Sequence, residues 1–88
     1  MDYRKTEKII KGFSNHRRIQ ILQLLKNEPE LSVGEISEKL KIDHRTASQH
    51  IIKMNNSGLV MKRNDINTVR HKLTKLGLSA LQFCRIIE

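Results

Sequence analysis

The 88-residue sequence predicts a single, mainly α-helical domain that carries one small β-hairpin. Apolar residues recur at helical spacing in five stretches, and four of these follow a Ser, Thr, Asp or Asn of the kind that caps a helix N-terminus. Past Gly58 the spacing changes from helical to alternate, and after Leu73 it changes back. No stretch reads as an internal repeat, a low-complexity segment or a linker, so the whole of residues 1–88 is expected to form one unit.

The first helix is predicted over residues 3–13, where Glu7 and Lys11 stand four apart and Ile9, Ile10 and Phe13 form an apolar side. Ser14 and Asn15 then offer caps for a helix over residues 16–26. Ile19, Leu22 and Leu25 mark its stripe and Ile21 and Leu24 widen it, which predicts a helix at the centre of the domain. Pro29 stops it by withholding a donor and turning its predecessor out of the α region. Leu31 is expected in a one- or two-residue strand. Ser32-Val33-Gly34-Glu35 reads as a capping box, in which the hydroxyl takes the amide three residues on and the carboxylate returns to the cap amide. The short helix behind it, residues 33–40, points Val33, Ile36 and Leu40 inward.

Lys41-Ile42-Asp43 leaves a three-residue turn, with Asp43 as the next cap. From residue 44 to about residue 57 a helix buries Ala47, Ile51 and Met54, and Gly58 is placed to end it in the left-handed conformation. Residues 59–63 and 68–73 then pair around the polar turn Asn64-Asp65-Ile66-Asn67. Thr74 caps a last helix over residues 75–87, in which Leu76, Leu78, Ala80, Leu81, Phe83, Cys84, Ile86 and Ile87 leave little of the circumference polar. Such a helix needs cover on two sides, one from its own core and one from a second subunit. A lone Cys makes neither an intrachain disulfide nor a multi-Cys zinc site, so a chain this small is expected to gain stability as a homodimer.

The chain has 17 Lys and Arg against 9 Asp and Glu, a formal charge of +8. Residues 44–76 hold seven basic and one acidic group, whereas residues 28–43 hold two and five, so charge is organised by element and the later segment is the expected anion-facing surface. With Tyr3, Phe13 and Phe83 as the only aromatic residues, base-stacking platforms for single strands have almost nothing to stack with. No run of apolar residues is long enough for a membrane span, and no apolar segment follows the charged N-terminus. A cytoplasmic location without a membrane partner is expected.

A short helix, a tight turn, a second helix and a basic hairpin make a winged helix-turn-helix, with the helix pair over about 33–57 and the wing over about 59–73. Its expected partner is double-stranded DNA. Opposite the inward stripe of the second helix stand Arg45, Gln49 and Ile52, where Arg45 can offer two donors to guanine O6 and N7 and Gln49 can pair with adenine N6 and N7. His44, Thr46, Ser48 and Lys53 flank them, the last three suited to phosphates, and His50 is expected at a phosphate or between helices. In the hairpin Lys62, Arg63, Asn67 and Arg70 can follow the backbone or reach the neighbouring minor groove.

From Phe13 to Leu22, through Val33-Gly34-Glu35-Ile36, Ala47-Ser48-Gln49-His50-Ile51 and Ser57-Gly58-Leu59-Val60 to Leu73-Thr74, the sequence resembles the ArsR-type winged-helix repressors. The resemblance covers roughly residues 10–76. It implies a homodimer joined by the first and last helices, binding an imperfect inverted repeat and repressing transcription by blocking polymerase. On that basis the dimer contacts are expected at Ile9, Ile10, Phe13, Leu78, Leu81, Cys84 and Ile87. Metal-sensing members carry Cys residues at the start of the first helix-turn-helix helix, where this chain reads Leu31-Ser32-Val33-Gly34-Glu35-Ile36, or Asp and His ligands on the last helix, where it has only Glu88. The thiol pair of redox-switching members is reduced to Cys84. No metal and no cofactor are therefore expected, and the effector is left open between a small molecule, a partner protein and none. His16 and the wing turn also depart from the family habit of Pro and Gly at those places.

Catalysis has no footing in the sequence. The serines sit at caps or on helix faces without a patterned His and carboxylate, no Gly-rich phosphate loop occurs, and His16, His44, His50 and His71 never pair at ligand spacing. Two other readings keep the same fold, a protein-interaction module and a sequence-tolerant architectural DNA binder. The basic 44–76 segment speaks against the first, and the base-reading types Arg45 and Gln49 against the second.

Overall fold

A computed structural model describes all 88 residues and contains, in chain order, α1 (Tyr3–Phe13), α2 (His16–Asn27), α3 (Val33–Leu40), α4 (His44–Asn56), β1 (Val60–Asn64), β2 (Val69–Leu73) and α5 (Lys75–Ile87). Local chemistry fixes the helix starts. The Asn15 carboxamide oxygen accepts from the Arg17 and Arg18 amides at 2.9 and 3.3 Å, Asp43 accepts from the Thr46 amide at 2.7 Å, and Thr74 accepts from the Gly77 amide at 3.0 Å. Both bonds of the Ser32–Glu35 capping box are made, at 3.2 and 2.9 Å. A further cap went unread in the sequence, since Asp2 accepts from the Lys5 amide and starts α1.

Between α3 and α4 the chain turns at Lys41, which takes the left-handed conformation (φ 56°) without being glycine. The Ser37 hydroxyl holds the turn by donating to the Ile42 carbonyl at 2.6 Å. Gly58, at φ 79°, ends the segment that follows α4.

α2 lies at the centre, where Ile21, Leu22 and Leu25 meet Phe13, Ile36, Ala47, Ile51, Met54, Leu59, Val60, Ala80 and Leu81 in one core. Each fully buried Ile or Leu stabilises the fold by about 1.5–3 kcal/mol relative to exposure. The inward stripe of α2 is rotated from the expected one. Ile19 is only half-buried, beside Leu81 and Cys84 of α5, and Ile21 takes the central place.

β1 and β2 pair antiparallel from Val60↔Leu73 to Asn64↔Val69, so Leu59 and Thr68 fall outside the strands predicted for them. Leu59 is held instead by the helix end, its amide donating to the Met54 carbonyl at 2.9 Å and its carbonyl accepting from the Thr74 amide at 3.1 Å. Leu31 adds a stub of a third strand, exchanging both backbone bonds with His71.

α5 buries Gly77, Ala80 and Leu81 and leaves Leu76, Leu78, Phe83, Ile86 and Ile87 exposed. Beside it, Phe13 meets Phe83 edge to face, with ring centroids 6.5 Å apart, in an apolar groove completed by Ile9, Ile10, Leu76 and Ala80. Of the seven residues expected at a dimer contact, Phe13 and Leu81 are buried in their own subunit's core. Ile9 and Cys84 are half-buried against it, and Ile10, Leu78 and Ile87 stand exposed. No helix is long and apolar enough to cross a membrane.

Candidate nucleic-acid interface

Two faces of α4 have opposite environments. Ala47, Ile51 and Met54 are buried to within 2% of full cover, while His44, Arg45, Gln49, Ile52 and Lys53 project into solvent. A helix pinned along one side presents the other as a rigid row, with Arg45 and Gln49 one turn apart. At its N-terminus the Asp43 carboxyl is held below the usual carboxylate range, first by the Thr46 amide and then by the Thr46 hydroxyl, which donates to its second oxygen at 2.9 Å. Thr46 is therefore committed to the cap. Ser48 is half-buried.

His50 faces inward. An Nη1 of Arg18 lies 3.1 Å from its Nδ1, and because a guanidinium only donates, the ring accepts there and carries its proton on Nε2. Burial pushes the imidazole below its ordinary value, and the charge of Arg18, then His16 and Arg17, pushes it further. Arg18 also donates to the Lys11 carbonyl at 3.2 Å, so one side chain joins the end of α1 to the flank of α4. Its Nε is buried without a partner, and burial lowers its own pKa.

On the wing, the arginines are already paired. Arg63 donates to Glu30 at 2.7 Å, a bond that raises its pKa, while Arg70 donates to Glu35 and Asp65 at 3.2 Å each and to the Glu30 carbonyl at 3.1 Å. Glu30 and Glu35 of the acidic block 28–43 thus reach the hairpin, while Glu28 pairs within the block with Lys39 at 3.0 Å. Lys62 and Asn67 remain exposed and unpaired. Across the ladder from Lys62, His71 is 4% exposed with its Nδ1 unpartnered, and burial, then Lys62, holds its pKa down.

The structure thus brings His44, Arg45, Gln49 and Lys53 onto one exposed helix and Lys62 and Asn67 onto the hairpin beside the wing arginines, while His50 joins α4 to α2. Sequence reasoning missed two further cations, Lys8 and Lys11 of α1, which stand beside Lys53 at the end of α4. No local signal marks them, since they belong to another helix. No group of three or more His, Cys, Asp or Glu side chains is placed to hold a metal ion.

Comparison with known proteins fits this geometry. Residues 15–62 match the family described as bacterial regulatory protein, arsR family. The transcriptional activator HlyU of Vibrio cholerae is 37% identical over 73 residues, 83% of this chain and 67% of that protein. Its solved structure superposes with a TM-score of 0.83 at 31% identity, covering 99% of this chain and 97% of the other. The transcriptional repressor BigR of Xylella fastidiosa gives 0.78 at 27% identity, over 97% and 84% of the two chains. The winged helix-turn-helix domain of Mb0332 from Mycobacterium bovis, described as homodimeric, gives 0.86 at 22% identity over 97% and 79%, a likeness of fold alone.

Proposed function

The chain belongs to the arsR family of bacterial regulatory proteins and carries the DNA-binding winged helix-turn-helix of a transcriptional regulator, and we propose that it acts as a homodimeric repressor that binds an inverted repeat in double-stranded DNA. The observation that carries this reading is α4 itself, a helix with one stripe fully buried and a polar face that offers Arg45 and Gln49 to base edges. His44, Ser48 and Lys53 are suited to phosphates on either side, Thr46 and His50 to holding α4 in place while they approach the backbone. Lys62 and Asn67 give the wing its backbone contacts, with Arg63 and Arg70 setting its position.

Dimerisation is supported by the apolar groove between α1 and α5, where Ile10, Leu76 and Phe83 are left partly exposed, whereas Leu78 lies on the other side of α5 beside Lys26 and Arg85. A two-fold dimer places two copies of α4 in successive major grooves, which asks for a repeated, inverted half-site. Repression follows if that site overlaps a promoter; of the similar proteins, BigR is named a transcriptional repressor and HlyU a transcriptional activator. The reading needs no cofactor, no membrane and no catalytic group, and places the protein in the cytoplasm.

Selection of duplexes from a random pool, with the mass of the protein measured at the same salt, tests it. An inverted repeat bound by a dimer is the expected result. Arg45→Ala or Gln49→Ala should relax sequence choice at one base pair by about 1–3 kcal/mol, as for a lost bidentate pair. Equal losses on selected and random duplex would replace the reading with that of an architectural binder, and no duplex binding at all with that of an interaction module.

A further inference from the structure

On the flank of α4 away from the wing, α1 and the last turn of α4 enclose a cleft of about 300 Å³ lined by Glu7, Lys8, Lys11, Lys53, Asn56 and Ser57, with no apolar side chain in its wall. Its floor is rigid. A Cβ on Gly12 would fall 2.7 Å from the Ser57 Cβ and 2.9 Å from a Leu59 methyl, so only glycine lets α1 close this tightly on the end of α4. The Ser57 hydroxyl is fixed by donation to the Lys53 carbonyl at 2.8 Å, and Arg18 ties the Lys11 carbonyl to α4 through His50.

The wall, by contrast, is uncommitted. Lys11 and Glu7 stand 3.7 Å apart with about two-thirds of each side chain in water (65% and 64% exposed), a pair of little strength. Lys8 and Lys53 have no carboxylate partner, and the Asn56 carboxamide makes no hydrogen bond. Lys11 and Lys53 occupy last turns, where one cation each offsets the helix dipole, but Lys8 has no such duty. Three ammonium groups against the single carboxylate of Glu7 leave the recess with a net positive charge, and a bound oxyanion offsets it while taking an amide donor from Asn56.

We propose that this cleft is a phosphate seat, filled either by a backbone phosphate of the bound duplex or by a free phosphate-bearing ligand. Its volume exceeds that of one phosphate group and admits the ester attached to it. Lys8 and Lys11 lie on the side of α1 turned away from Ile9, Ile10 and Phe13, so a second subunit covering the apolar groove leaves the seat open. An anion held there bridges α1 and the end of α4. The duplex source rests on the DNA-binding function proposed above, whereas the free-ligand source does not.

The test compares the full chain with Lys8→Gln/Lys11→Gln and with Lys5→Gln/Lys26→Gln, which removes the same charge outside the cleft. Two quantities are read, the slope of log affinity for duplex against log salt and the backbone amide shifts on titration with inorganic phosphate at constant ionic strength against chloride. A slope shallower by about one to two in the cleft variant alone, at about 0.9 per lost contact, assigns the seat to the duplex backbone. Unchanged slopes, with phosphate shifting Lys8, Lys11, Asn56 and Ser57 in the parent but not in the cleft variant, assign it to a free ligand. Equal slopes in both variants and no response to phosphate beyond that to chloride overturn the proposal. If the chain binds no duplex, the amide titration alone decides, which separates failure of the seat from failure of the DNA reading.

Discussion

The arginines of the wing and the lysines of the α1 flank hold their positive charge differently, although Lys62 of the wing is as unpaired as Lys8, and Lys11 of α1 is paired with Glu7. On the wing side Arg63 and Arg70 are bound to Glu30, Glu35 and Asp65, while on the α1 side Lys8 and Lys53 face water without a partner. Backbone packing runs the other way, since the wing tip at residues 65–67 is exposed and the α1 flank closes on Ser57 through Gly12. Charge counted along a sequence is therefore not charge available to an anion. The wing arginines, in the segment of highest net charge, are held by carboxylates, while the unpaired lysines of the other flank come from α1 and α4, distant in sequence.

If tight packing on the α1 flank is what fixes α4, filling the space at Gly12 is the largest perturbation to expect. Gly12→Ala sets a methyl group against Ser57 and Leu59, and overpacking of this kind costs about 1–3 kcal/mol, against a gain of up to about 1 kcal/mol from helix propensity. On the exposed wing tip Asn67→Ala should change stability by no more than about 0.5 kcal/mol. Urea unfolding of both variants checks the pair, and an equal response would dissolve the contrast.

One histidine on each flank, His50 half-buried and His71 buried, gives the next effect, and here the flanks should agree. His50 and His71 both have pKa values lowered by burial, the first also by Arg18, His16 and Arg17 and the second by Lys62. The unfolded chain then binds more protons, so the stabilisation is fully present above the unfolded value near 6.5 and is lost as pH falls through the lowered folded values. Urea midpoints should fall between pH 7.5 and pH 5.5. His50→Gln keeps an acceptor for Arg18 and His71→Leu removes an unpartnered ring nitrogen, so each should flatten part of the pH dependence. A fall unchanged in both variants would place the acid sensitivity elsewhere.

What the sequence disclosed follows the range of the interaction. The caps at Asn15, Ser32, Asp43 and Thr74 are made within three residues, and all were readable as residue types at fixed offsets. So was the stripe Ala47, Ile51 and Met54, because helical periodicity writes itself into neighbouring turns. Asp2 was equally readable and was overlooked. The rotation of α2 toward Ile21 was not, since it depends on where α5 crosses, and the pairing of Arg63 with Glu30 spans 33 residues with no pattern to announce it. Gly12 offered only a hint, an isolated glycine in an amphipathic helix, and its neighbour Ser57 lies in another element. The candidate DNA face on α4 was thus legible and the balance of charge around it was not.

The smallest predicted effect bears most directly on that balance. Glu30→Gln removes the carboxylate that holds Arg63 at 2.7 Å while leaving the Glu30 backbone carbonyl that accepts from Arg70. An exposed ion pair of this kind contributes little to folding, so the unfolding midpoint should scarcely move. Arg63 would then be as available as Lys53, and the slope of log duplex affinity against log salt should steepen by up to about 0.9, one additional phosphate contact. The direction is the informative part, because losing a negative charge anywhere strengthens attraction to DNA at low salt. Glu38→Gln, on the same acidic stretch but with no basic partner, supplies that background. If both variants steepen the slope equally, the wing arginine was never held back by its carboxylate, and the difference between the flanks lies in the position of their cations rather than in their pairing.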